Sequence, residues 1–153
     1  MSTQLPRSVS GLEALFSTLK APEDIPVNQR YTGTTIGPWW LRVLGWPLLN
    51  VGAMDGWKGK SFHSKGRVLN IVDKKGCTKE VMPIRASLES FSRGDGTVLL
   101  LSYPKTAPLP WNYIIDELRC LPDGRLLGLT TLKLPLLGII PVPFILTLAD
   151  GLL

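Results

Sequence analysis

The sequence predicts a mainly β protein, an antiparallel β-barrel or strongly bent antiparallel sheet carrying one N-terminal α-helix. Three observations lead there. From residue 57 onward, runs of strand length follow one another, separated by the turn signals "DKKG", "RGDG" and "PDG". Helical spacing with a start signal occurs near the N-terminus, in a stretch of about three turns. The chain has 153 residues, 44% of them apolar and 19% charged; this suits one domain with a substantial core and argues against disorder.

Residues 1–9 read as a flexible arm, and residues 10–153 as a single β-barrel domain. Residues 10–20, "SGLEALFSTLK", form the helix: Ser10 and Glu13 fit a capping box, and Leu12, Leu15, Phe16 and Leu19 share a face. This helix is expected to cap or plug one end of the barrel. Pro22 and Pro26 end it and begin a linker. Residues 31–54 mix glycine, proline and tryptophan; "WWLRVLGW" reads as a helical turn pair or an irregular strand, and Pro47 bars a long helix. Seven runs then read as strands: "WKGKSFHS", "GRVLNIVD", "KEVMPIRASLESF", "TVLLLSYP", "WNYIIDELRCL", "RLLGLTTLKL" and "PFILTLAD". Short turns between consecutive strands imply an antiparallel meander, which closes as a barrel or packs as a sandwich. The apolar stretch 134–149 contains Pro135, Pro141 and Pro143 and falls short of the roughly 20 residues of a spanning helix, so it reads as a loop and a buried strand.

The net charge is +5, but the basic residues are scattered without a run, which argues against nucleic acid as a partner. Cys77 and Cys120 are far apart and form no CxxC pair, and "MSTQLPRSVS" lacks the apolar segment of a signal peptide, so a cytoplasmic location is the default. A single histidine rules out a two-histidine zinc site, and no nucleophile elbow or Walker loop is present, so neither a metal nor a cofactor is expected.

The candidate chemistry rests on two stretches. In "NYIIDELRC", strand alternation puts Tyr113, Ile115, Glu117 and Arg119 on one face and Asn112, Ile114, Asp116, Leu118 and Cys120 on the other. A carboxylate therefore turns inward whichever face does. An inward Asp116 would rise in pKa by desolvation unless Lys58, Lys60 or His63 paired with it, giving an acid–base site; otherwise Asp116 caps backbone amides while Glu117 and Arg119 form an exposed ion pair. In "AMDGWKGKSFHSKG", Lys60 and the lone His63 enter a strand, and His63 is the side chain whose ordinary pKa lies near neutrality. The catalytic candidates are Asp116, His63, Lys60 and Arg119. The ligand-binding candidates are the aromatic residues Trp39, Trp40, Trp57, Phe62, Tyr103, Trp111 and Tyr113, with Glu117. Tryptophans clustered in a small barrel serve equally as core filler or as the walls of a pocket.

"GPWW" followed by "DGWKGKSF" resembles the GXWXG-type module, and "LPWNYIIDELRCLPDGRLLGL" resembles the signature of its companion domain, with a Pro-x-x-Asp-x-x-Arg block and a Leu-Gly turn. The two blocks lie within residues 33–148. The resemblance implies a small, lipocalin-like β protein and carries onto Gly37, Trp39, Gly56, Trp57, Gly59, Lys60, Phe62, Pro110, Asp116, Arg119 and Gly128. Leu41 departs from the first motif's last glycine, Lys58 from an aromatic and Ser61 from a basic residue. These departures, with the apolar tail, suit a divergent member adapted to an apolar small molecule.

The functional expectation is a cofactor-free enzyme of isomerase or cyclase type, in secondary metabolism, acting on an apolar metabolite inside the barrel. The alternatives are a non-catalytic carrier of lipids or hydrophobic metabolites, or a peripheral membrane protein anchored by "WWLRVLGWP" and "GIIPVPF". The oligomeric state is left open.

Overall fold

A computed structural model describes residues 4–43, 54–134 and 140–149. Eight strands close into an antiparallel barrel in which every strand pairs with its sequence neighbours and the first with the last. They are β1 (Gln29–Thr35), β2 (Trp57–Phe62), β3 (Arg67–Lys74), β4 (Cys77–Ser90), β5 (Thr97–Ser102), β6 (Ile114–Cys120), β7 (Leu126–Leu132) and β8 (Val142–Leu148). Closure leaves no free sheet edge. The expected runs from residue 57 onward all become strands. β1 completes the ring from "QRYTGTT", a polar stretch whose strand character lies in Tyr31 and its threonines.

Alternation divides the chain into an inner and an outer core. Inward residues such as Phe62, Val68, Ile84, Leu99, Leu101, Ile114, Leu118, Phe144 and Leu146 fill the barrel. The intervening Val98, Leu127, Leu129 and Ile145 point outward and are just as apolar. An apolar outer wall must itself be covered, and helix α1 (Val9–Thr18) covers it: Leu12 and Phe16, both fully buried, pack on that patch. The helix therefore lies along the wall formed by β5–β8, where the sequence suggested a cap or plug at one end. Its N-cap is Ser8, whose Oγ accepts from the Gly11 amide at 3.1 Å; the helix thus starts before Ser10 and ends before Lys20.

Two further differences bear on the site. Residues 111–113 form a 3-10 turn ahead of β6, so Tyr113 leaves the strand's alternation and is exposed. Of "WWLRVLGW", residues 39–43 are described and are helical; the remainder, with Pro47, lies outside the described residues, as do residues 135–139 of the apolar tail.

Two bulges set which side chains face inward. Trp57 and Lys60 are three residues apart and would point to opposite faces of a regular strand. The register with β3 shifts between Trp57 and Gly59, and this bulge turns both inward. Gly59 sits at φ 155°, and a Cβ there would lie 2.0 Å from the Tyr31 carbonyl oxygen. The second shift, in the β3–β4 pairing between Val68 and Asn70, falls opposite Met82, which has φ 54°.

Candidate functional site

The polar centre of the barrel is built on Lys60 of β2, Asn70 of β3, Asp116 of β6 and Thr130 of β7, each less than a tenth exposed. Lys60 Nζ lies 2.9 Å from Asp116 Oδ2 and donates to Asn70 Oδ1 at 2.8 Å. The second Asp116 oxygen accepts from Thr130 Oγ1 at 2.7 Å. The Trp57 indole donates to Asn70 Oδ1 at 3.2 Å, and Asn70 Nδ2 donates to the Tyr103 hydroxyl at 3.0 Å and to the Met82 carbonyl at 3.2 Å. The Asn70 amide thus uses two acceptor and two donor positions and fixes its neighbours relative to one another. The bulge at Met82 supplies one of those partners by placing a main-chain carbonyl against the centre.

Aromatic rings complete the enclosure. The ammonium of Lys60 lies 5.8 Å from the Trp57 ring, 5.9 Å from Tyr103 and 6.0 Å from Phe144, within cation–π range. Trp57 meets Phe144 edge to face at 5.8 Å, and Tyr103 lies 5.5 Å from Trp111. Gly33 gives the Trp57 ring its room: a Cβ at that position would come within 2.2 Å of the indole. These rings, Met54, Lys60 and Asp116 border a void of ≈ 20 Å³, enough for about one water and far below the roughly 300–1,000 Å³ of a typical ligand pocket. The metabolite-sized cavity expected from the sequence is filled by these side chains.

Tyr103 accepts from Asn70, and among the described residues its own O–H has no acceptor. Burial, and then the nearby Asp116 carboxylate, push its phenol well above the ordinary value, while the Asn70 hydrogen bond pulls the other way. It therefore remains a neutral donor at physiological pH. The centre combines a cation, a neutral hydroxyl donor and a carboxylate in a medium with little water, the setting in which electrostatic contacts are strongest.

Of the four catalytic candidates, the structure brings Asp116 and Lys60 together and sets the other two apart. Arg119 points outward from β6 beneath α1 because the odd-numbered residues of this strand face the helix. Its Nη1 donates to the Phe16 carbonyl at 2.9 Å, Nη2 to the Asp95 carbonyl at 2.6 Å and Nε to the Thr97 carbonyl at 3.1 Å, and its guanidinium carbon lies 5.0 Å from the Phe16 ring and 4.8 Å from the Phe91 ring, which are themselves 5.1 Å apart. Burial lowers its pKa, with the Glu117 carboxylate acting in the opposite direction. Glu117, on the same face, accepts from the Ser92 amide and hydroxyl, both at 2.9 Å. Glu117 and Arg119 are therefore both buried, where an exposed pair was the alternative reading. His63 lies at the far end of β2, outside the barrel. Its Nε2 is 3.2 Å from Ser61 Oγ and 3.4 Å from Glu80, and Ser61 also donates to Glu80 at 2.7 Å. Hydroxyl and carboxylate meet the same ring nitrogen, so this is not the base-and-orienter geometry of a triad.

The ligand-binding candidates divide similarly. Trp57, Tyr103 and Trp111 border the void. Phe62 is inward but packs edge to face on Tyr31 at 5.3 Å, as core. Trp39, Trp40 and Tyr113 are exposed, and Glu117 is outside the barrel. Sequence reasoning missed Asn70, Thr130, Met54 and Phe144. Asn70 did leave a signal, an amide in the middle of the apolar run "RVLNIVD", since a buried amide requires partners. Cys77 and Cys120 are both free and lie at opposite ends of the barrel. Among the described residues no cluster of His, Cys, Asp and Glu could hold a metal ion, and no helix is long and apolar enough to cross a membrane.

The architecture, an eight-stranded up-and-down β-barrel, is similar to that of a solved protein from Thermomonospora curvata. The TM-score is 0.63 over 90% of this chain and 85% of that one, at 19% sequence identity, a likeness of fold alone. No protein-family model matches the chain, and no curated protein matches it in sequence.

Proposed function

We propose that the barrel performs cofactor-independent acid–base chemistry, of isomerase or cyclase type, on a small apolar molecule bearing a carbonyl or hydroxyl oxygen. One observation carries the reading: a buried Lys60–Asp116 pair borders a void that Tyr103 also lines, and among the described residues the Tyr103 hydroxyl has no acceptor. A buried ion pair is a poor device for stability, because desolvation offsets its attraction. Aimed at a void, it has a chemical use. Lys60 and Tyr103 hold and polarise the substrate oxygen. Asp116 takes a proton from the adjacent carbon and returns it to another. The substrate enters by displacing Met54 and Trp111, which belong to loops and not to the barrel wall. The GXWXG-type resemblance is part of the same proposal, supported by the presence of Trp57, Lys60 and Asp116 from both of its blocks in one centre.

The test is deuterium exchange from D2O at the carbon beside the carbonyl of a small cyclic enone, followed by NMR. Asp116→Asn is expected to lower the protein-catalysed rate by about 10²–10⁴-fold while enone binding, followed by tryptophan fluorescence, persists. Equal rates for the variant and the parent would remove Asp116 from the chemistry. A non-catalytic carrier is the second reading, favoured by the fact that both Asp116 oxygens already accept hydrogen bonds. It predicts enone binding with no exchange in the parent protein.

A further inference from the structure

The up-and-down order sends every second connection to the same end of the barrel. The described parts of loops 36–56, 75–76, 103–113 and 133–141 gather at the end nearest Lys60 and Asp116, and the linker 19–28 with loops 63–66, 91–96 and 121–125 at the other. The two ends differ in two respects. Of the large apolar residues most open to solvent, Leu109 (74% exposed), Trp39 (70%), Val43, Ile140 and Trp40 belong to the first set of loops; the linker 19–28 contributes Val27, and the other loops at that end contribute none. The first set carries four basic residues and one acidic one, Asp55, whereas the second carries four of each. Arg42, Lys75, Lys105 and Lys133 of these loops are exposed, as is Lys58 at the adjoining start of β2.

Exposed tryptophan and leucine on separate loops, set among cations with one carboxylate, complement a surface that is apolar below and anionic above. A bilayer containing acidic phospholipids has that profile. Indole rings settle at the headgroup level, apolar side chains reach the acyl boundary, and Lys and Arg meet the phosphates. We infer that this end of the barrel docks on an anionic lipid bilayer through Trp39, Leu109 and Ile140, with Arg42, Lys105 and Lys133 against the headgroups. The inference stands independently of the proposed acid–base chemistry. If both hold, an apolar substrate passes from the bilayer to the adjoining centre without crossing water.

The experiment is co-sedimentation of the full chain with phosphatidylglycerol-containing vesicles and with pure phosphatidylcholine vesicles. Binding is expected to the anionic vesicles and to weaken steeply as salt rises. Lys105→Glu/Lys133→Glu is expected to weaken it by more than about tenfold, and Trp39→Ser to weaken it at both low and high salt. Lys20→Glu/Lys65→Glu, at the opposite end, is the control and is expected to lose much less. In the unaltered protein, brominated lipids should quench part of the tryptophan fluorescence, a readout that does not depend on any variant folding. Absence of sedimentation and of quenching at low salt overturns the inference. So does equal loss in the control, which would mean attraction by net charge alone, and so does a dimer that Trp39→Ser dissociates without any vesicle binding, which would make a second copy the occupant.

Discussion

Asp116 and Arg119 stand three residues apart on β6, both are almost inaccessible to solvent, and they do opposite things. Arg119, on the outer face, gives three hydrogen bonds to main-chain carbonyls and lies against two mutually packed rings. Each of those partners belongs to the scaffold. Asp116, on the inner face, meets side chains only among the described residues, and its cluster borders a void together with Tyr103, whose hydroxyl has no acceptor among them. Burial of a charge therefore does not by itself identify a site. What distinguishes the inner group is that its side chains line a void, whereas the outer group is a clasp between helix and barrel.

The comparison can be broken most sharply at Lys60. Lys60→Met leaves Asp116 buried without its cation and is expected to cost about 3–5 kcal/mol, whereas Lys60→Met/Asp116→Leu is expected to lie near the parent stability or above it. Urea unfolding at neutral pH measures both. If the double variant were as unstable as the single one, the inner pair would be as structural as the outer clasp. Next in size is Arg119→Ala, which orphans three carbonyls and removes packing; about 3 kcal/mol is expected. Below its melting range this variant should keep the exchange rate of the parent, and a parallel loss of both would erase the distinction. The smallest effect concerns pH. Tyr103 has a folded-state pKa above its ordinary 10.0, so the unfolded chain loses this proton first. The corresponding stability is complete below pH 10 and declines as pH rises beyond it, by at most about 1.4 kcal/mol per pH unit. Tyr103→Phe should flatten that decline in unfolding measurements between neutral and alkaline pH.

Much of the barrel was legible because strand runs and turn signals alternate from Trp57 onward. β1 was not, because "QRYTGTT" lacks an apolar face of its own; Gly33 is small because the Trp57 ring occupies the space beside it, a constraint visible only in three dimensions. The position of α1 was hidden for a related reason. Leu127 and Leu129 on one strand face and Leu126 with Thr130 on the other do not show which face is wet, and the answer is neither. That ambiguity also concealed the roles of Glu117 and Arg119. A pairing of Asp116 with Lys58, Lys60 or His63 was legible but not which of the three, because the parity that turns Trp57 and Lys60 to the same side comes from a bulge, which shifts alternation by one and is not marked by composition. Asn70 was overlooked because its strand reads as a simple apolar run.

Closure of the ring has a kinetic consequence. β1 finds its second partner in β8, so the pairing of Tyr31 with Leu148 and of Thr35 with Phe144 must wait until nearly the whole chain has been synthesised and ordered. Contacts this distant in sequence slow folding. Until they form, both terminal strands present open edges to other chains. Pro143 within β8, which has no amide hydrogen to donate, makes that edge a poorer template for a stranger than for its own β1.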